Sequence, residues 1–324
     1  MTKETFGIIG LGKMGGNLAL QAIDKNYKIY GYDPSPGKEL KKSNIQLVNS
    51  IEELVQQLPS PRIIFIYIPA GHAVDKVLEQ LKALLNKNDI IVDGGNSYWG
   101  DSIRRAEKLG ASGIYFIDCG TSGGVDGARN GACFMAGGEE AAIRHVAPIL
   151  IDLSVTGGYV HTGAVGSGHF VKLVHNGIEF GMLEAIAEGM DLLSHYRENL
   201  NFPEILHCWN NGSVIRSWLI ELMGKEYDEK KGFSQVPSYI EDTGEVNWLI
   251  NDAMHMEVPV PVIAQSVMQL FASREKDRIW AKAIAMMRHG FGGHPFGADQ
   301  GIKHERESGR VGNYLEETEK AFKN

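Results

Sequence analysis

The sequence predicts a doubly wound α/β domain at the N-terminus, followed by an all-helical C-terminal domain. Through the first half of the chain, short apolar runs alternate with stretches that are apolar at helical spacing. After residue 168 the strand signals almost vanish, and one long helical pattern covers residues 170–195. Strands that alternate with helices of about 10–15 residues are typical of βαβ units in a parallel sheet.

The α/β domain is predicted from a series of short strands at 5–9, 28–32, 62–68, 89–92, 113–118 and 132–136. The segment 71–85, between the third and the fourth of these strands, has apolar residues at helical spacing and predicts a helix. Because parallel strands are joined by right-handed crossovers, this order favours a sheet that is covered by helices on both faces.

The domain boundary is predicted at a glycine-rich segment, GGYVHTGAVGSG, at residues 157–168. We expect the α/β domain to cover residues 1–160 and the helical domain to cover residues 161–324. Shorter helices are expected after the long one, around 203–209, 214–223, 245–254, 261–271 and 277–289. From residue 295 the chain is polar with few apolar anchors, and we expect this tail to order against a partner subunit.

The composition is that of an ordinary globular protein, with 324 residues, 43% hydrophobic and 22% charged. A net charge of −8 argues against a nucleic-acid-binding surface. The sequence has neither an apolar run of the roughly 18 residues that suggest a membrane span nor a signal-peptide pattern. Cys119, Cys133 and Cys208 lack metal-site spacing, which fits reduced thiols. We therefore expect a cytoplasmic protein that binds no metal, nucleic acid or membrane.

A glycine-rich turn, GLGKMG, follows the first predicted strand and opens a helix. In this context a GxGxxG motif predicts a dinucleotide-binding domain of the Rossmann type. Its glycines allow a tight turn, a close approach to a pyrophosphate and close helix–strand packing, while the helix N-terminus offers N–H groups to the phosphates. The residues that we expect to contact the cofactor are Gly10, Leu11, Gly12, Lys13, Met14 and Gly15.

The cofactor preference is predicted from Asp33, which ends the second strand roughly 20 residues after the glycine turn. An acidic side chain there can accept hydrogen bonds from both ribose hydroxyls of NAD and would repel the extra phosphate of NADP. Asp33 could instead be a turn former before Pro34. We favour the ribose interpretation and hence NAD, while Lys38 keeps NADP possible.

A second cofactor contact is expected at Pro69 and Ala70, in the loop after the predicted strand 62–68. A loop at the carboxyl end of a strand near the first crossover is where a ribose of the cofactor would lie. His72 follows in the same loop, and we interpret it as a solvent-facing residue rather than a catalyst.

Further glycine-rich turns end later strands, at DGGNS (93–97), GTSGG (120–124) and Gly137–Gly138. Such turns line the ligand crevice of an open α/β sheet. Each could be only a tight turn. However, Asn96 and Ser122 offer hydrogen-bonding groups on successive strands, and bare glycine backbone admits a small polar substrate.

The most informative segment is KLVHNGIE at residues 172–179. Lys172, His175, Asn176 and Glu179 are spaced i, i+3, i+4 and i+7, so they share one face of a helix among apolar neighbours. This face could be a solvated hydrogen-bonded network. We favour catalysis, because a desolvated lysine can act as a base and a carboxyl group that keeps its proton can act as an acid.

Together these segments resemble the 6-phosphogluconate dehydrogenase family, the decarboxylating enzymes of the pentose phosphate pathway. The resemblance is densest in DGGNSYWGDS (93–102), GTSGGVDGARNGACFMAGG (120–138) and GSGHFVKLVHNGIEFGMLEAIAEG (166–189), and it returns in RHGFGGH (288–294). It covers most of residues 5–294, and the chain looks like the short, bacterial-type form. The combination of DGGN, SGG and KxxHNGIE separates it from the wider 3-hydroxyacid dehydrogenases.

The resemblance implies a role for each matching residue. Lys172 would be the general base and Glu179 the general acid. Arg288 and His294 would reach into the site of a partner subunit, which implies a homodimer or higher homo-oligomer with shared sites. The residues expected to bind the sugar acid are Asn96, Ser122, Gly123, Gly124, His175, Asn176, Arg274, Arg288 and His294, and Asn96 is also expected to contact the cofactor.

Some positions depart from the family pattern. The family's tyrosine after the catalytic glutamate is Phe180 here, and its TGKW motif reads TGEVNW (243–248), so a phosphate-binding hydroxyl and a phosphate-binding lysine are missing. Arg274 matches a phosphate-binding arginine with a displaced register. The second strand has Asp33 and lacks the Asn-Arg-Thr sequence that is associated with NADP in this family. These departures leave the catalytic residues in place but weaken the expected hold on the 6-phosphate.

The resemblance implies oxidative decarboxylation of 6-phosphogluconate, or a related sugar acid, to ribulose 5-phosphate. Lys172 would take the proton of the hydroxyl on the third carbon, and Glu179 would protonate the first carbon after carbon dioxide leaves. Two alternatives remain open. One is a 3-hydroxyacid dehydrogenase that does not decarboxylate, and the other is a dinucleotide-binding sensor without catalysis.

Overall fold

The computed structural model describes residues 3–308 and divides into two compact units. The first unit holds the chain up to Pro237 together with Glu241–Leu270, and the second holds Ser238–Ile240 and the chain from Phe271 onward. The α/β sheet and the first helices of the C-terminal half therefore belong to one compact unit.

The first unit contains an eight-stranded sheet with the order β3-β2-β1-β4-β5-β6-β7-β8. All neighbours pair in parallel except β6 and β7, which are antiparallel. The predicted doubly wound α/β fold, followed by a helical region, is confirmed. The strands are β1 Thr5–Ile9, β2 Lys28–Tyr32, β3 Gln46–Leu47, β4 Ile63–Ile66, β5 Ile90–Asp93, β6 Tyr115–Ser122, β7 Ala132–Gly137 and β8 Ser154–Gly163.

The central strands are buried on both faces, which explains their continuous apolar sequences. In β4, Ile64 and Ile66 pack into the core on one face, while Ile63 and Phe65 pack into the core on the other. Strand β1 lies between β2 and β4, so the direction of winding changes beside β1. In an open α/β sheet, ligands bind at the carboxyl ends of the strands next to such a switch point.

The glycine-rich segment 157–168, at which the domain boundary is predicted, lies mostly in the edge strand β8, which ends at Gly163, and its last two residues begin the long helix. Strand β8 pairs in parallel with β7, with register shifts at two places. Its sequence lacks an apolar alternation because none of its residues is buried. The glycines at 157 and 158 accommodate the irregular register. The boundary predicted between residues 160 and 161 falls within this strand and stays a prediction.

Thirteen α-helices are described between residues 3 and 308. Seven of them correspond to helices with predicted ranges, and all but one of these seven begin and end within about three residues of the prediction. The largest shift is at the helix predicted for 214–223, which begins at Trp218 because Ser217 caps it by accepting the Ile220 N–H. The helices are α1 Lys13–Asp24, α2 Ile51–Gln57, α3 His72–Leu84, α4 Trp99–Gly110, α5 Gly124–Asn130, α6 Glu140–Leu153, α7 Ser167–Ser194, α8 Phe202–Asn210, α9 Trp218–Lys230, α10 Glu245–His255, α11 Pro261–Arg274, α12 Ile279–Gly292 and α13 Gln300–Ser308.

Helix α12, in the second unit, has no buried residue. Its apolar side chains are exposed, with relative exposures of 61% for Trp280 and 77% for Phe291. The tail expected to order against a partner includes α13, and its residues 309–324 lie outside the described residues. Within residues 3–308, none of the helices combines the length and the apolar character needed to cross a membrane.

Candidate active site

A cleft of about 1120 Å³ opens at the carboxyl ends of the central strands. The loops after β4, β5 and β6 line one side of it, and α7, α9 and the start of α10 line the other. Several residues singled out from the sequence line this one cleft, namely Met14, Pro69, Ala70, Asn96, Ser122, Gly123, Gly124, Lys172, His175, Asn176 and Glu179. Segments far apart in the chain therefore meet around one space, as the βα topology requires.

The glycine turn after β1 has the backbone that its sequence predicts. Gly10 has a φ of +89°, and a Cβ atom there would collide with the carbonyl oxygen of Tyr67. A Cβ atom on Gly12 would meet nothing within 4 Å, so open space lies in front of this residue. Helix α1 begins next to it with no capping side chain and no acidic residue in its first turn. This uncapped, open helix N-terminus fits the pyrophosphate of a dinucleotide.

Asp33 lies beside the glycine turn and is held by backbone N–H groups on two sides. The N–H of Leu11 donates to Oδ2 and the N–H of Ser35 donates to Oδ1, each at 2.8 Å. The hydrogen bond from Ser35 fits the turn-forming role considered for Asp33. The hydrogen bond from Leu11 fixes the side chain next to the cofactor turn. A carboxylate has lone pairs for further donors, so both roles are compatible with this geometry.

Helix α7 is fixed to the sheet at its N-terminus. The buried side chain of Asp118, on β6, accepts the N–H groups of Gly166 and His169, each at 2.7 Å. Burial raises the pKa of Asp118. Gly168 allows the close approach, because a Cβ atom there would collide with the carbonyl oxygen of Asp118 and lie 2.6 Å from that of Met135. These contacts set the direction in which α7 presents its polar face.

That polar face is the predicted four-residue stripe. The Nζ of Lys172 lies 3.3 Å from Nδ1 of His175. This Nδ1 atom of His175 also lies 3.1 Å from Oδ1 of Asn176. Glu179 extends the row, with Oε2 at 3.9 Å from the His175 ring. On the other edge of the ring, Nε2 lies 3.0 Å from Oγ of Ser122, so the stripe is joined to the end of β6.

The side-chain amides of one residue on α7 and one on a loop also meet there. Nδ2 of Asn176 donates to Oδ1 of Asn96 over 3.4 Å, which links α7 to the loop after β5. Gly120 permits the approach on the β6 side, since a Cβ atom there would collide with the Lys172 side chain. The predicted base, acid and orienting residues thus face one cleft from α7, β6 and the β5 loop.

Burial sets the charge of the basic groups. Desolvation lowers the pKa of Lys172, while the carboxylates of Glu179 and Glu245 act in the opposite direction. Desolvation also lowers the pKa of His175, and the positive charge of Lys172 adds to this. The desolvation of these two neighbouring nitrogen bases therefore favours the neutral form of each.

Two residues that support the loops are not evident from the sequence. The first is Arg105 of α4, which is fully buried. Its Nη2 donates to the carbonyl of Gly71 over 3.0 Å, and its Nε donates to Asp75 over 2.9 Å. Its Nη1 lies 3.6 Å from the carboxylate of Asp93. The hydroxyl of Tyr67 lies 3.2 Å from Oγ1 of Thr121, and burial raises the pKa of Tyr67. Both roles depend on contacts between distant segments, which residue spacing does not reveal.

The C-terminal residues expected to bind substrate lie elsewhere in the chain. Arg274, Arg288 and His294 belong to the second unit and are not among the residues that line the cleft. His72 is exposed as predicted, although it begins α3 rather than lying in a loop. Phe180 and Glu245, noted as departures from the family pattern, both line the cleft. Among the described residues, no group of three or more His, Cys, Asp or Glu side chains is arranged to hold a metal ion.

Two family models together match most of the chain. The NAD-binding domain of 6-phosphogluconate dehydrogenase matches residues 5–163, and the C-terminal domain of 6-phosphogluconate dehydrogenase matches residues 168–310. Among curated relatives, the NAD(+)-dependent, decarboxylating 6-phosphogluconate dehydrogenase of Haloferax volcanii is 38% identical over 293 residues, which cover 89% of this chain and 97% of the relative. The NADP(+)-dependent, decarboxylating enzyme of Bacillus subtilis is 37% identical over 297 residues, covering 86% of this chain but 63% of the relative.

Solved structures agree with these matches. The 6-phosphogluconate dehydrogenase of Plasmodium falciparum superposes with a TM-score of 0.78 at 28% identity, covering 91% of this chain and 66% of that one. A 3-hydroxyisobutyrate dehydrogenase from Salmonella typhimurium superposes with a TM-score of 0.69 at 20% identity, covering 83% and 94%. The second likeness shows a shared fold. The chain therefore spans nearly the whole of a short relative and about two thirds of the longer ones.

Proposed function

The chain belongs to the 6-phosphogluconate dehydrogenase family, and we propose that it catalyses the oxidative decarboxylation of 6-phosphogluconate to ribulose 5-phosphate and carbon dioxide, with reduction of NAD(P). The observation that carries the proposal is the presence of a desolvated lysine and a carboxyl group on one face of α7, both lining the cleft. Lys172 supplies the amine and Glu179 the carboxyl group.

Lys172 is the general base of the first step. Its lowered pKa allows a neutral amine, which takes the proton from the hydroxyl on the third carbon of the sugar acid. The cofactor, when bound, accepts the hydride from that carbon. The amine is then an ammonium group beside the new keto oxygen.

The second step follows from the charge that Lys172 now carries. The bond to the carboxylate breaks, carbon dioxide leaves, and the electron pair moves to the keto oxygen, which the Lys172 ammonium group stabilises as it becomes an enolate. Glu179 gives a proton to the carbon that lost carbon dioxide, which yields the ketose. His175, Asn176, Asn96 and Ser122 orient the hydroxyl and carboxylate groups, since all four line the same cleft.

We further propose that NAD is the preferred cofactor. The turn Gly10–Gly15 and the start of α1 would hold the pyrophosphate, and Asp33 would accept the ribose hydroxyls. What supports the preference is the fixed carboxylate beside Leu11, because a negative charge there opposes the additional phosphate of NADP.

We propose in addition that the active protein is a homodimer or higher oligomer whose sites are shared between chains. The second unit supports this, since α12 buries none of its residues and exposes large apolar side chains. Apolar surface of this kind marks protein interfaces. Arg288, on the same helix, would supply a cation to the site of a partner.

The test is an initial-rate comparison of 6-phosphogluconate and gluconate, each with NAD and with NADP, together with measurement of released carbon dioxide. We expect carbon dioxide and reduced cofactor in equal amounts, and higher kcat/KM with NAD. Reduced cofactor without carbon dioxide would indicate a 3-hydroxyacid dehydrogenase instead. Binding of the dinucleotide without turnover would indicate a sensor.

A further inference from the structure

The charged residues that line the cleft are mostly acidic. Among the described residues around it, Asp101, Glu179 and Glu245 carry carboxyl groups, and Lys172 is the one lysine or arginine. Burial also lowers the pKa of Lys172, which favours the neutral form of this amine. A cleft with this balance is poorly suited to a dianionic phosphate unless cations come from outside its lining.

Two acidic residues at the cleft, Glu245 and Asp101, have no role in the proposed proton transfers, and the charge of Asp101 is paired with Arg104 of its own helix. The charge of Glu245 is therefore the one to consider. Glu245 is the first residue of α10 and follows Gly244, which has a φ of +80°. The hydroxyl of Thr243 donates a hydrogen bond to Oε2 of Glu245. A carboxylate in the first turn of a helix also faces the positive end of the helix dipole, which favours a negative charge there.

Glu245 lies close enough to the catalytic lysine to influence it. Its negative charge is one of those that raise the pKa of Lys172 against the effect of burial. Thr243 and Trp248 line the cleft on either side of Glu245 in sequence, so this turn of the chain forms part of the wall. A substrate held by Lys172 is therefore within the electrostatic range of the Glu245 carboxylate.

We propose that Glu245 determines specificity, and that its carboxylate lowers the preference of the enzyme for a phosphorylated sugar acid over the same acid without phosphate. The carboxylate repels a phosphate dianion but accepts hydrogen bonds from neutral sugar hydroxyls. This inference rests on the proposed function, since it concerns the substrate of the same site.

The experiment compares wild type with Glu245→Gln, which keeps the shape of the side chain and removes its charge. The quantity measured is the kcat/KM for 6-phosphogluconate divided by that for gluconate. Any effect of the variant on Lys172 acts on both substrates and cancels in this ratio. Glu221→Gln is the matched control, because Glu221 is also in the first turn of a helix but is exposed and outside the cleft lining.

We expect the ratio to rise about three- to tenfold in Glu245→Gln, and further in Glu245→Lys, as a charge repulsion across a hydrated cleft is removed and then reversed. Glu221→Gln should leave the ratio unchanged. Thermal melting of each variant identifies any that do not fold. If only one of the two Glu245 variants folds, that variant alone tests the proposal.

The outcomes separate this inference from the proposed function. If wild type releases carbon dioxide from 6-phosphogluconate but the folded Glu245 variants keep its ratio, Glu245 is not a specificity residue and the proposed function stands. A wild-type protein that turns over neither acid overturns both.

Discussion

The Nζ atom of Lys172 lies 3.3 Å from Nδ1 of His175, one turn further along α7. The other ring nitrogen of His175 lies 3.0 Å from the hydroxyl of Ser122 at the end of β6. The amine is thereby connected through one imidazole ring to the sheet that carries the cofactor turn. Since the two bases lie this close, a proton on either one disfavours a proton on the other.

The first prediction concerns the base. Lys172→Met should abolish cofactor reduction and leave dinucleotide binding intact, because the side chain keeps its bulk and loses its amine. Titration with NADH followed by fluorescence measures binding, and absorbance at the nicotinamide band measures turnover. Lys225→Met, at an exposed lysine on α9, is the control and should remain active. Near-normal turnover in Lys172→Met would remove this lysine from the base role.

The second prediction concerns the pH profile. The groups that face Lys172 are His175 and Glu179 from α7, Cys133 from β7 and Glu245 from α10. The base must be neutral, so kcat/KM should rise with pH through the pKa of Lys172, which burial holds below its ordinary value of 10.5.

Glu245→Gln provides the test of this assignment. The carboxylate raises the pKa of Lys172, so its removal should lower that pKa and move the acidic limb of the profile to lower pH. The pH profile is measured with gluconate, because gluconate has no phosphate group whose ionisation would add to the profile. The control Glu221→Gln should leave the acidic limb at the pH of wild type. A limb that moves to higher pH, or not at all, contradicts the assignment.

Much of the fold can be predicted because its elements have simple periodicity. Strands β1 and β2 are short, mostly apolar runs, and the sequence predicts both to the residue. Strand β8 is not predicted, because an exposed edge strand with an irregular register lacks alternation. The sequence also ends β6 too early, at Asp118, since Gly120 is a weak strand former even though β6 continues to Ser122.

For the site, spacing along one helix is informative and contacts between segments are not. The four polar positions of α7 share a face because helical geometry requires it. Arg105 shows the limit, since its side chain joins α4 to residues about 30 positions earlier, at Gly71 and Asp75, and a lone arginine on a helix gives no sign of that.

The third prediction concerns Asp33. Wild type should have a higher kcat/KM with NAD than with NADP, and the double variant Asp33→Asn/Ser35→Arg should shift this preference toward NADP. The repulsion is removed, and a guanidinium group becomes available to the 2′-phosphate, a contact worth roughly 1.5–3 kcal/mol or about one to two decades. Asp24→Asn, at an exposed carboxylate, is the control. If wild type already prefers NADP, Asp33 is a turn former only.

The fourth prediction concerns the docking of α7. Gly168→Ala should destabilise the fold by about 1–3 kcal/mol, because the added methyl group would press against carbonyl oxygens of β6 and β7. Gly189→Ala, in the same helix, should instead stabilise it by about 0.5–1 kcal/mol, since a Cβ atom there meets nothing within 4 Å. Urea unfolding monitored by circular dichroism measures both. Equal effects of the two variants would contradict the close packing at Gly168.

The last prediction concerns the shared site. Arg288→Ala should raise the KM for 6-phosphogluconate about ten- to a hundredfold, because a charge-assisted contact contributes roughly 1.5–3 kcal/mol to binding. Its effect on gluconate and on NAD should be smaller, because neither depends on the 6-phosphate contact. Lys282→Ala, at an exposed position of the same helix, is the control.

A mixture of Arg288→Ala and Lys172→Met chains decides whether Arg288 serves its own chain or a partner. If sites are shared, a mixed dimer has one site with both defects and one site with neither. Random exchange of equal amounts should then restore about a quarter of all sites, because half of the dimers are mixed. Chain exchange is verified with two affinity tags, and sedimentation establishes the oligomer. If exchanged mixtures stay as impaired as their parents, Arg288 acts within its own subunit or only in the fold.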